Sequence, residues 1–365
     1  MNKYSLSYSP CPPCQEKTLS LFPRLITLDL RKAKAKAAAE LLLDYSRSRP
    51  ASFCFRENEK VKEIASRRHI VVGLGELLWD MLPTGKQLGG APANFAYITS
   101  LLGDEGIPAS RLGQDVLGEA AILRLRELGL PTAFIQEDSD HLTGTVRVDV
   151  DAAGQPRFEI SESVAWDFIE WTPHLHRLAQ QADAVCFGSL AQRSEQSRST
   201  IRKFVLASQP NSVRVFDVNL RQNFYTAQII ADSMELATVV KVNHEELPKI
   251  MLLFELEHHS EEDSARRLLS LHDLKLVCVT RGNSGSLLVS PDECSEHQGF
   301  KVKVADTVGA GDAFTAALVH GYLRRAPLAQ INERANRVGA WVASQSGATP
   351  APKAGGMEQT LAAIG

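Results

Sequence analysis

The sequence predicts an α/β fold built on a mostly parallel sheet with helices on both faces. Three observations lead there. From residue 69 to about 346, short apolar runs alternate with stretches of helical periodicity, the pattern of successive βαβ units. The first run, His69-Ile-Val-Val-Gly-Leu-Gly75, is apolar throughout its centre, as a strand buried on both faces must be. The chain has 365 residues, of which 44% are hydrophobic, ample for one large α/β domain or two smaller ones.

The elements follow in order. After the strand at 69–75 come Glu76, Trp79 and Asp80. Lys86-Gln-Leu-Gly89-Gly90-Ala91-Pro92-Ala93-Asn94 then opens a helix over 95–102. A strand begins at Ala109. Gly113-Gln-Asp115-x-x-Gly118 leads from it into a helix that runs through Leu128. Residues 145–151 and 157–161 alternate like a hairpin around Ala153-Gly154. Strands are expected at 184–188, 213–218, 239–242, 276–280 and 286–289. Helices fill the intervals, 194–207 and 261–271 among them, and the last runs over about 332–346. Lys301 to Val304 alternates charged with apolar, which predicts an exposed strand. From Ala313 onward Phe314, Leu318 and Tyr322 recur on one helical face. No internal repeat is visible.

Residues 1–68 read differently. They hold 14 Lys and Arg against 7 Asp and Glu, a balance of +7, whereas the rest of the chain carries -10. Pro10-Cys-Pro-Pro13 breaks regular structure, and the helix-prone run at 31–43 is short. The expectation is a flexible N-terminal extension before a globular part at 69–365. It lacks the features of a cleavable targeting peptide. A body as acidic as the remainder argues against nucleic acid. No apolar run reaches the ~18 residues of a membrane-spanning helix. Cys186 and Cys278 lie inside apolar runs and read as buried hydrophobes. Cys11 and Cys14 form a lone CxxC without partner ligands, so a reducing cytoplasm is the simplest compartment.

The chemistry concentrates at Gly309-Ala310-Gly311-Asp312. Small residues before a helix let backbone N–H groups approach a ligand. The unpaired donors and positive dipole end there attract anions. A carboxylate beside such a cradle can act as general base for a hydroxyl that attacks a phosphoryl group. An Asp in the first turn of a helix also serves as an ordinary cap, so Asp312 alone decides nothing. Two other nucleotide motifs fail. Gly73-Leu-Gly75 has Leu78 where a dinucleotide fingerprint needs glycine, and Gly85-Lys86 is followed by Gln87 where a P-loop needs Ser or Thr.

In combination these residues carry a resemblance. Asp306-Thr307-x-Gly309-Ala310-Gly311-Asp312 resembles the signature of the ribokinase-like sugar kinases, the phosphofructokinase B family. Gly75-Glu-Leu-Leu-Trp-Asp80 and Gly89-Gly90-Ala-Pro-Ala-Asn94 resemble its first sugar-binding signature, with the fructokinase branch closest. Asp217-Val-Asn219-Leu-Arg221, Asn243-His-Glu-Glu246 and Thr280-Arg-Gly282-Asn-Ser-Gly285 match further family motifs in order. The resemblance covers residues 69 to about 350.

It implies a ribokinase-like three-layer sandwich with a mostly parallel central sheet and a small β lid, formed by about 81–88 and 145–161. The implied reaction is ATP-dependent phosphorylation of a sugar hydroxyl, with D-fructose to fructose 6-phosphate as the first reading. Kinases for 2-keto-3-deoxygluconate, ribose or a nucleoside, and a non-catalytic sugar-binding homologue, stay open as alternatives. By the resemblance, Asp312 is the base and Gly309, Ala310 and Gly311 cradle the phosphoryl group. Asp80, Gly89, Gly90 and Asn94 hold the sugar. Asn243, Thr280, Gly282, Gly285 and Asn336 lie along the nucleotide. Glu246 organises Mg²⁺ through water, and a monovalent cation, K⁺, is expected near Asp306. The implied partners are a sugar and ATP, with no nucleic acid and no membrane, and a homodimer is compatible with the family.

Overall fold

The computed structural model describes residues 68–82, 85–150 and 156–364. The expected N-terminal extension, with Cys11, Cys14 and the run at 31–43, lies outside the described residues, as does the turn at Ala153-Gly154.

In chain order the strands are β1 Ile70–Leu74, β2 Leu78–Leu82, β3 Gly85–Gly89, β4 Glu105–Gly113, β5 Ile135–Asp138, β6 Gly144–Val150, β7 Pro156–Ile160, β8 Ala184–Phe187, β9 Val213–Asp217, β10 Val239–Asn243, β11 Leu276–Thr280, β12 Ser286–Val289 and β13 Cys294–His297. The α-helices are α1 Ala91–Leu101, α2 Val116–Glu127, α3 Pro173–Gln181, α4 Glu195–Ala207, α5 Ala227–Leu236, α6 Glu246–Leu253, α7 Glu261–Leu271, α8 Ala310–Leu323, α9 Leu328–Ala343 and α10 Gly356–Ala362.

A nine-stranded sheet has the order β13-β12-β11-β10-β9-β8-β1-β4-β5. Every pairing from β5 across to β11 is parallel, and β12 and β13 are added antiparallel at one edge. Side chains alternate between its faces. Val72, Leu74, Val185, Phe187, Val240 and Val242 join a core shared with residues of α3 to α7. Val71, Cys186, Val215, Val239 and Cys278 join a second core with residues of α1, α2, α8, α9 and α10. This is a three-layer α/β sandwich, and both expected cysteines are buried in it. The alternation forces the layers, because strands apolar on both sides must be covered on both sides.

A four-stranded sheet, β3-β2-β6-β7, forms the lid. The pairs β2–β3 and β6–β7 are antiparallel and β2–β6 is parallel. It begins at Leu78, earlier than expected, so Asp80 sits inside a lid strand and not in the loop after β1. The predicted strand at Lys301–Val304 is absent. Phe300 and Val302 do pack against the second core, but the segment makes no strand pairing among the described residues. Three further elements escaped the sequence reading: β5, β13 and α10.

Candidate active site

The cradle forms where the chain enters α8. Gly309 caps this helix at φ 76°, a left-handed conformation that glycine adopts freely. A Cβ on it would lie 2.4 Å from that of Ala348. The first helical bond runs from the Ala313 N–H to the Gly309 carbonyl, 2.9 Å. Ala310 N–H bonds the Thr307 carbonyl at 3.3 Å, whereas the N–H groups of Gly311 and Asp312 make no backbone bond to the residues before the helix and stay available at its end. Asp306 fixes the approach: its Oδ1 accepts from Val308 N–H at 3.0 Å and its Oδ2 from Gly347 N–H at 3.1 Å.

Asp312 lies beside this turn at a small hollow that Pro92, Phe95, Cys186, Phe187, Asp217 and Asn219 also line. Asn94 Nδ2 donates to Asp312 Oδ2 at 2.9 Å, joining α1 to α8. Burial pushes the Asp312 carboxyl up to about 6. The Asp217 charge adds to this, while the Asn94 bond, Lys241 and Arg221 oppose it. The two residues expected to serve the base and the sugar are thus directly bonded.

On the lid side Asp80 is pushed up to about 6, chiefly by burial, with Arg221 opposing and Asp306 adding. A Cβ on Gly89 would lie 2.3 Å from Asp80 Oδ2. A Cβ on Gly90, at φ 110°, would lie 2.4 Å from the Glu76 carbonyl oxygen. Gly90 is therefore demanded by the backbone packing on itself, a reason the sequence reading did not foresee, whereas Gly89 leaves room for the Asp80 carboxylate. Glu76 was not singled out either. It is 3% exposed, its Oε2 has no partner, and burial pushes it up to about 7 with the Asp312 charge contributing.

The motifs expected along the nucleotide lie after β10 and β11, at the carboxyl ends of the strands. Asn243 Oδ1 accepts the N–H groups of Glu245 and Glu246, at 2.9 and 2.8 Å. Glu246 in turn accepts from Asn243 N–H at 2.9 Å and from Leu220 N–H at 2.8 Å. The Asn-x-x-Glu motif is thus a reciprocal cap on α6 that also ties down the loop after β9. Thr280 is paired with Asn243 in the sheet register. Gly282 and Gly285 both have positive φ, and Arg281 N–H bonds the Gly285 carbonyl at 2.7 Å, closing a tight turn. Asn336 is buried, with its Nδ2 on Ser286 Oγ at 2.7 Å and Asn332 Oδ1 at 2.9 Å, so its amide nitrogen already fastens α9 to β12.

Beneath the cradle lies the group that sequence reasoning missed. Lys241, on β10, reaches Asp217 Oδ1 at 3.0 Å, and Thr315 Oγ1 donates to Asp217 Oδ2 at 2.9 Å. A lysine inside the run Val-Val-Lys-Val was a legible signal, since a charge in a central strand demands a buried partner.

An open α/β sheet that places an anion cradle and a carboxylate at its carboxyl edge has the parts needed to position a phosphoryl group against a small hydroxyl compound. The chain belongs to the pfkB family of carbohydrate kinases, whose family model matches residues 74–354. It is similar to an uncharacterized sugar kinase of Pyrococcus horikoshii, 29% identical over 303 residues that cover 78% of this chain and 93% of the relative. The structure of that kinase in complex with ATP matches with a TM-score of 0.66, covering 77% of this chain and 94% of the other. Fructokinase-1 of Zea mays is 28% identical over 308 residues, 79% of this chain and 95% of the relative. The fructokinase of Vibrio cholerae O395 in its fructose, ADP and calcium ion bound form shares the fold, with a TM-score of 0.68 at 24% identity, over 81% of this chain and 98% of its own. The chain is accordingly an ATP-dependent sugar kinase. Among the described residues no helix is long and apolar enough to cross a membrane.

Proposed function

We propose that the enzyme converts D-fructose and ATP to fructose 6-phosphate and ADP, with Asp312 as the base. The observation that carries this is the Asn94–Asp312 bond, which links a sugar-signature residue to the carboxylate beside the phosphoryl cradle. The fructokinases among the relatives support the choice of sugar. In this reading Asp80, Asn94, Gly89 and Gly90 orient the sugar so that its 6-hydroxyl faces Asp312. Asp312 takes the hydroxyl proton as the oxygen attacks the γ-phosphorus, and the bond to the ADP oxygen breaks. The N–H groups at 309–312 stabilise the charge on the transferred group. Thr280, Gly282 and Gly285 lie along the nucleotide, and Asn336 stands behind the adenine site.

Among the described residues no cluster of three His, Cys, Asp or Glu is placed to hold a metal. Asn243 and Glu246 already accept backbone bonds, so they fit Mg²⁺ through its waters, on an ion carried by the ATP phosphates. Bound there, Mg²⁺ neutralises phosphate charge. Each Asp306 oxygen takes one backbone N–H and keeps a lone pair, which suits a monovalent cation such as K⁺.

One observation favours a second reading. The Arg221 charge is felt at Glu76, Asp80 and Asp312, and its guanidinium bonds the Leu220 carbonyl. A cation so placed suits the carboxylate of 2-keto-3-deoxygluconate. Steady-state kinetics on fructose, 2-keto-3-deoxygluconate, ribose and adenosine separate the readings. The highest kcat/KM is expected for fructose, and a higher value for any of the others overturns the fructokinase assignment.

A further inference from the structure

We propose that Lys241 is a positioning residue for phosphoryl transfer: held by Asp217 under the first turn of α8, its ammonium lends positive charge to the cradle at 309–312. The proposal rests on the reading of Asp312 and the cradle given above.

The geometry is specific. Lys241 and Asp217 are paired in register on adjacent parallel strands, and both face α8. Their side chains are 9% and 7% exposed. A Cβ on Gly311 would lie 3.2 Å from Lys241 Nζ, so the ammonium sits directly against the second residue of the cradle helix. Thr315, one turn along that helix, bonds both Asp217 Oδ2 and the Gly311 carbonyl, at 2.9 and 3.0 Å. Asp217, Lys241 and Thr315 therefore lock the cradle's register onto the sheet.

Stability does not account for the pair. A buried ion pair is generally no more stabilising than apolar residues of the same volume. The neighbours here, Val215, Val239, Cys278 and Ala313, would accept such residues. What an apolar pair could not supply is a fixed cation beneath backbone N–H groups, in a site shielded from water. Charge placed there acts on the phosphoryl group without reorganising during the reaction. Lys241 keeps its proton firmly, because the charges of Asp217, Glu246 and Asp312 outweigh its burial.

The test is the double variant Asp217→Asn, Lys241→Met, which removes both charges at similar volume and leaves no lone buried ion. It is expected to melt near the wild-type temperature and to keep KM for ATP and sugar within about threefold, while kcat falls ~10-fold or more. ADP with aluminium fluoride, a mimic of the transferring group, should bind at least about tenfold more weakly, and ADP alone should bind as before. Unchanged kcat and unchanged aluminium fluoride affinity overturn the proposal. If that double variant does not fold, Asp217→Asn, Lys241→Gln carries the same comparison, since it also removes both charges and leaves two amides that can bond each other. The same loss of kcat at constant KM is expected. Undiminished kcat in that variant contradicts the proposal. If Asp312→Asn proves active, the underlying reading of the site fails. If Asp312→Asn is inactive while the double variant is fully active, only the role of Lys241 fails.

Discussion

Three carboxyl groups in one small site, Glu76, Asp80 and Asp312, are all pushed upward by burial, to about 7, 6 and 6. A base must be deprotonated to act, so kcat/KM should fall as pH drops through about 6. The groups that set this limb reach Asp312 from several elements: Asp217 on β9, Lys241 on β10, Asn94 on α1, Arg221 beyond β9 and Glu76 beyond β1. A flat kcat/KM from pH 5 to 8 would contradict the assignment. The same upward shifts act on stability. Glu76 binds its proton more tightly in the folded chain than its ordinary value of 4.5. Its stabilising contribution is therefore present below about pH 4.5 and lost as pH rises through about 7. Glu76→Gln is expected to raise Tm at pH 8 by about 2–4 °C for each kcal/mol recovered, and to change it little at pH 4. A lower Tm at pH 8, read by calorimetry, would show that the charged form is needed. Asp312 was legible only together with the glycines before it and the motifs elsewhere in the chain, because an Asp in the first turn of a helix is by itself an ordinary cap. Glu76 was not, because its meaning depends on Gly90 pressing against its backbone.

At the level of elements, the turns hold the site together. Gly309→Ala would force a side chain toward Ala348 in a left-handed conformation. The variant should lose about 1–3 kcal/mol of stability, measured by urea unfolding. Gly89→Ala would instead push the Asp80 carboxylate out of place. The sugar KM should rise ~10-fold while the ATP KM stays constant, and equal changes in both would remove Asp80 from the sugar site. The strands at 276–280 and 286–289 and the helix at 261–271 were legible to the residue, the strands as short apolar runs bounded by polar turns and the helix as the amphipathic stretch before them. Lys301–Val304 misled because alternation reports which side is buried and not whether a neighbouring strand exists. Asp80 was placed by proximity to β1 in sequence, whereas Gly75 turns the chain at φ 149° and Asp80 belongs to the lid.

At the scale of the whole molecule, the parallel sheet gathers the carboxyl ends of β1, β8, β9, β10 and β11 along one edge. Residues far apart in sequence meet there: Asn94 and Asp312 are 218 positions apart. Motif order made the edge legible in outline. The ion pair under α8 was not, because it depends on the register of β9 against β10. The opposite charge of residues 1–68 and the start of β1 at Ile70 support a further expectation. A chain beginning at Glu63 should express, melt cooperatively and phosphorylate sugar at the full rate, and loss of soluble protein would contradict it. The central claim, that Asp312 is the base of the phosphoryl transfer, is tested most directly by kcat of Asp312→Asn under saturating ATP and sugar, with both KM values measured alongside. KM values close to wild type and a kcat lowered ~10²-fold or more are expected. A variant that retains more than half of the wild-type kcat would contradict the claim.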